Sequence, residues 1–130
     1  MVSESFRAMW SPRLLSVLRI IAGLLFMEHG LAKHFGFPAP PPFPVVGILL
    51  VAGAIEIVAG ALIAIGLFTR TAAFIASGEM ACAYFMFHFP KSFFPIINQG
   101  ELAILYCFIF LFIALEGAGP WSIDAMWSRK

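Results

Sequence analysis

The sequence predicts an all-α membrane protein, a four-transmembrane-helix bundle with its N- and C-termini cytoplasmic. Three observations carry that prediction. Of 130 residues, 62% are hydrophobic and only 12% are charged, against roughly 25% charged in an ordinary soluble chain. The apolar residues fall in four runs, separated by stretches rich in proline, glycine and aromatics. If each run crosses the bilayer, Arg7, Arg13, Arg19, Arg70, Arg129 and Lys130 share one side, against Lys33 and Lys91 on the other. The positive-inside rule then puts both termini in the cytoplasm.

The length leaves room for one domain, so residues 1–130 form a single transmembrane domain. Residues 1–11 are expected to be a short amphipathic leader, with Phe6, Met9 and Trp10 at the interface and Arg7 among the headgroups. Pro12 fits the first turn of a helix, and the first span runs over 13–31, close to the roughly 20 residues needed to cross the hydrocarbon. Arg19 interrupts the apolar run and no small-x-small site follows it, so this span is expected to stay uncleaved. Residues 36–44, GFPAPPPFP, cannot be helical, because repeated prolines remove donors and extend the residues before them. The second span, 45–68, carries Ala52, Glu56, Gly60 and Ala64 at four-residue spacing, an acid on a small-residue face that should pack on a neighbouring helix. Thr69 and Arg70 turn the chain into a third span, 71–88, with Glu79 near its middle. A second aromatic and proline-bearing loop, 90–100, leads to a short fourth span, 101–116, ended by Gly117 to Pro120. Trp121 and Trp127 suggest a tail on the membrane surface. The order His29, Lys33, Phe37, Pro38 recurs as His88, Lys91, Phe94, Pro95, though not the spacing. Related hairpins or chance would each produce that.

Counting about 1.5 Å of rise per residue from the helix ends sorts the polar groups into two layers. The inner one holds Arg19 and Glu116, with Glu79 deeper and Glu56 close to the midplane. Arg19 is expected to pair with Glu116 or Glu79, since an unpaired guanidinium there is very unfavourable. Glu56 has no basic residue at its own depth and is expected to be neutral, donating a hydrogen bond to a relay, a ligand carbonyl or a facing helix. The outer layer holds Glu28, His29, Lys33, His34, His88, Lys91, Asn98 and Glu101.

Glu28, His29, Lys33, His88, Lys91 and Glu101 are the candidate ligand-binding residues. Framed by phenylalanines, they suit a quinone headgroup: His or Lys donates to its carbonyls, carboxylates exchange protons and aromatics flank the ring. Simple snorkelling to the headgroups with Glu28 as counter-ion would also place such residues there. A divalent metal would find His and Glu donors, yet His29 and His34 point about 140° apart on a continuous helix, and no metal site is expected. Cys82 and Cys107 fall at similar depths and could form a redox pair. Without a Cys-x-x-Cys motif or a basic neighbour they are better explained as small packing residues. A net charge of +1 excludes a basic field for nucleic acid.

The motifs GLLFMEHGLAKHFGF, GAIEIVAGALIAIGLFTR, FPKSFFPIINQGELAILYC and GPWSID, taken in order after Arg19, resemble the DoxX family of small four-helix membrane proteins over nearly the whole chain. The family takes its name from small subunits of archaeal thiosulfate:quinone oxidoreductase or terminal oxidase assemblies, and relatives are linked to redox and thiol homeostasis. The resemblance implies a bacterial inner-membrane protein. Arg19, Glu28, Gly30, Lys33, Glu56, Gly60, Arg70, Glu101 and Asp124 fall on the family's recurring positions, without catalytic roles attached.

The leading expectation is an accessory, redox-associated subunit that binds a quinone or similar amphipathic ligand at the outer polar mouth, or docks redox enzyme partner subunits. The sequence holds no recognisable haem, flavin or iron–sulfur site, so no intrinsic cofactor and no autonomous oxidoreductase is expected. The alternative is a small proton-coupled transporter or channel using the intramembrane glutamates, or a scaffold without ligand. Four short helices enclose little volume, which points to a homo-oligomer in the lipid bilayer.

Overall fold

A computed structural model describes residues 1–128; Arg129 and Lys130, counted above for the orientation, lie outside the described residues. Helix α1 spans Glu4–Phe35. The Ser3 hydroxyl caps it by accepting from the Phe6 N–H at 3.2 Å, and Gly36, at φ 64°, ends it in the left-handed conformation, which glycine adopts without a Cβ penalty. The leader is therefore not a separate element, and Pro12 lies inside α1 rather than at its first turn. Its missing N–H is tolerated because this part of α1 is exposed, where a freed carbonyl can be solvated.

Helix α2 spans Ile48–Ile65, shorter at both ends than the predicted 45–68. Val45 to Gly47, after the proline run, stay outside the helix, and Gly66, at φ 75°, stops it. Helix α3, Thr69–Ala83, continues as a π-helical turn, Tyr84–His88, and a 3-10 turn, Phe89–Lys91. A one-turn helix, α4 (Pro95–Asn98), leads into α5, Glu101–Glu116, with the predicted bounds, and α6, Ile123–Ser128, closes the described chain. Three helical segments are long and apolar enough to cross a membrane: Glu4–Phe35, Ile48–Ile65 and Thr69–Lys91. With 16 residues, α5 is about 24 Å long, short of the hydrocarbon thickness of about 30 Å.

Two hairpin-like pairs make the bundle, α1 along α2 and α3 along α5, joined through α2 and α3. Glycines set the first pair's spacing. A Cβ on Gly23 would lie 2.7 Å from the Ala64 nitrogen, one on Gly30 2.7 Å from Ile57 Cγ1, and one on Gly60 2.8 Å from the Met27 nitrogen. Backbones this close gain dispersion contact where apolar burial gives no drive against lipid. The small face of α2 does pack on a helix, with Glu56 and Gly60 buried and Ala52 and Ala64 half-buried. Ala22 and Phe26 of α1, Ala59 and Ile63 of α2, Ala72, Ala73 and Ala76 of α3, and Tyr106, Phe110 and Ile113 of α5 form the core.

Candidate functional site

Lys33 stands in the last turn of α1, where the close approach of Gly30 to α2 brings its stem against Gly53. A Cβ on Gly53 would lie 3.2 Å from the Lys33 Cβ. From there the ammonium reaches along α2 and donates to both oxygens of Glu56, each at 2.6 Å. Glu56 is 1% exposed and Lys33 15%. The expectation that Glu56 has no basic partner is thus corrected: depth counted along helix axes omits the reach of a lysine stem laid against a glycine. Glu79 of α3 faces the same point. Its carboxylate lies beside Glu56 and within the field of Lys33, yet both of its oxygens are buried without a hydrogen-bond partner among the described residues.

Tyr106 of α5 extends the cluster, lying within electrostatic reach of both Glu56 and Glu28. Its ring stacks on Phe110 at 5.5 Å and 6°, and the His29 ring stands edge-on to it at 5.9 Å. Tyr106 was missed from the sequence; its one signal there was a hydroxyl in an otherwise apolar helix.

The six candidate ligand-binding residues do not share one hydrogen-bonded cluster. Lys33 is turned inward to Glu56. His88 Nδ1 bonds to the Asn98 carbonyl at 3.0 Å, and Asn98, fully buried, knits its loop by donating to the Ser92 carbonyl and the Tyr84 hydroxyl and accepting from the Gly100 N–H. Glu28, Lys91 and Glu101 are exposed. His34 Nε2 meets the Leu50 carbonyl at 2.8 Å. The similar loop order noted above does not extend to the side chains, since Lys33 is paired and Lys91 is exposed. No group of three or more potential metal ligands occurs among the described residues.

At the opposite end, Arg19 is fully buried, and its partner is neither Glu116 nor Glu79. The guanidinium donates to the carbonyls of Ile63 and Ala64, each at 2.7 Å, of Ala118 at 2.8 Å, and of Trp121. Two of these are last-turn carbonyls of α2, the negative end of its dipole, and a planar fork suits such divergent acceptors. Arg70 treats α5 likewise, donating to the Leu115 carbonyl at 2.7 Å and to that of Glu116 at 3.4 Å. Asp124 caps α3, accepting from the N–H groups of Phe68 at 2.9 Å and Thr69 at 3.0 Å. Partial burial pushes its carboxyl up, but the donors from Thr69 and Phe68, with the Arg19 charge, outweigh this and hold it below the usual carboxylate range. Both cysteines are free thiols; the Ser77 hydroxyl donates to the Cys107 carbonyl at 2.7 Å.

A sequence model of the DoxX family matches residues 14–89. An uncharacterized protein of Haemophilus influenzae is 46% identical over 128 residues, spanning 93% of this chain and 96% of that protein. No solved structure matches the chain.

Proposed function

The chain belongs to the DoxX family, and from that footing we propose that it is a small proton-coupled transporter built on the Lys33, Glu56 and Glu79 cluster. The observation that carries this is the Glu79 carboxylate, buried beside Glu56 with no donor. Two carboxylates sharing a site are satisfied when a proton, or a cationic ligand, lies between them. Neither acid is tied to Arg19 or to backbone among the described residues; Glu56 is held by Lys33, which leaves Glu79 to exchange the proton. Lys33, Tyr106 and Glu28 connect them to the end of the bundle where α1 terminates. On the other side, Phe26, Ile63, Phe110 and Ile113, all fully buried, close the bundle. A site open to one side only suits alternating access better than an open channel.

In this proposal α5 serves as a fourth span, shortened by tilt or local bilayer thinning. Both termini face the cytoplasm of a bacterial inner membrane, and the protein works as a homo-oligomer. The test is proton flux into liposomes carrying the full-length protein and a pH-sensitive dye. Glu79→Gln is expected to reduce flux to that of empty liposomes; flux equal to the native protein's would overturn the proposal.

A second reading, the accessory redox-associated subunit, is favoured by one observation. His29 edge-on to the stacked Tyr106 and Phe110 offers an aromatic wall beside imidazole and phenol donors, which suits a quinone ring. Mass spectrometry of the gently solubilised protein separates the two. A quinone retained by the native chain and lost in Glu28→Gln would favour the redox role, and its absence would remove that role.

A further inference from the structure

A polar cleft at the end of the bundle away from the Lys33 cluster adjoins an apolar one that runs along the outside of α2 and α3. The polar one, about 410 Å³, is lined by Thr69, Arg70, Glu116, Ser122, Asp124 and Ser128 among others. The apolar one, about 620 Å³, runs between α2 and α3, with the buried Ala59 and Ala72 in its lining and Ala54, Val58 and Ile75 beside them. Phe68 and Thr71 line both, so the two form one amphipathic cleft. From Leu62 to Ala54 the apolar arm follows α2 for about 12 Å, because alanines at facing positions leave the helix surfaces unfilled.

The polar arm has groups to spare. Arg70 gives its hydrogen bonds to carbonyls, and its charge meets no carboxylate in an ion pair among the described residues. The Glu116 carboxylate makes no hydrogen bond there. Asp124 is committed to the N–H groups of α3. Thr69 is 1% exposed, and its hydroxyl has no hydrogen-bond partner among the described residues, although it lies near Asp124.

We propose that this cleft binds a zwitterionic, ethanolamine-type glycerophospholipid, its phosphate on Arg70, its ammonium on Glu116 and one acyl chain along α2 and α3. An uncompensated guanidinium beside an uncompensated carboxylate complements a phosphate joined to an ammonium. An anionic headgroup would take up Arg70 and leave the Glu116 carboxylate without a cation. The proposal is independent of the transport role, since none of these residues belongs to the proton site.

The test is native mass spectrometry of the full-length protein released from bilayers of equal phosphatidylethanolamine and phosphatidylglycerol. The native chain is expected to retain phosphatidylethanolamine at least about tenfold over phosphatidylglycerol. Val58→Trp, at an exposed rim position, fills the apolar arm and should abolish retention. Glu116→Lys, at an exposed position, leaves the arm open and should invert the preference. Retention of the two lipids in bilayer proportion, preference for phosphatidylglycerol in the native chain, or undiminished retention in Val58→Trp would each overturn the assignment. If Val58→Trp fails to fold, an unchanged preference in Glu116→Lys does the same.

Discussion

The two ends of the bundle use the same kinds of charged residue in opposite ways. At one end Arg19, Arg70 and Asp124 each bind backbone groups at a helix terminus, and every helix they touch is fixed relative to the next. At the other, Lys33, Glu56 and Glu79 bind or face one another, and one carboxylate is left without a donor. Satisfied polar networks rigidify a core, whereas a partly satisfied one is a place where protons and ligands enter. The difference teaches that a buried charge in this protein is not by itself a sign of function; what its partners leave unmet is.

The largest expected effect lies at the Arg19 end, where the guanidinium is fully matched by carbonyls. Arg19→Met removes the donors to four carbonyls and leaves those in the buried interior orphaned, which should cost about 3–5 kcal/mol, measured by thermal or denaturant unfolding in detergent. A loss under about 1 kcal/mol would mean that water replaces the guanidinium, and the contrast between the ends would fail. Gly53→Leu comes next, at about 1–3 kcal/mol. A side chain there collides with His34 and the Lys33 stem, so it should also displace the ammonium from Glu56 and impair flux. Native flux with reduced stability would show that the pair can form by another route.

Asp124→Ala should cost about 1 kcal/mol as a lost helix cap. Its pH dependence sharpens the assignment. The carboxyl sits below its ordinary range in the folded protein, so its stabilisation is complete above the ordinary carboxylate value of about 3.9. It is lost as pH falls from there through the depressed folded value. The native protein should therefore lose stability over that acid range faster than the variant. Parallel losses would remove Asp124 from its capping role.

Much of the fold was legible because local chemistry sets helix ends. The bounds of α5 follow from Gly100 and Gly117, and the break after α1 from Gly36 and the proline run, although the helix continues to Phe35, past the expected end at 31. What was not legible is tertiary. The acceptors of Arg19 are main-chain carbonyls, which have no signature in a sequence, so an acidic partner was expected and none is used. Lys33 meets Glu56 only because Gly30 and Gly53 let two helices touch, a fact of crossing geometry. Depth alone leaves Glu79, like Glu116, open as a partner of Arg19, because it does not give the rotation that turns α3 toward Glu56. Pro12 fits a first turn by its own chemistry, and only the Ser3 cap upstream shows that the helix has already begun.

The smallest expected change in stability belongs to Glu79→Gln. The amide is nearly the same size as the carboxyl and can donate to Glu56 as a protonated carboxyl does. Its effect on unfolding should therefore stay within about 0.5 kcal/mol. Activity should nevertheless be lost, since an amide neither releases nor takes up a proton. A residue whose replacement leaves the fold intact and removes flux is one retained for function. A Glu79→Gln chain destabilised by several kcal/mol would instead make Glu79 a structural member of the bundle, as Arg19 is at the other end.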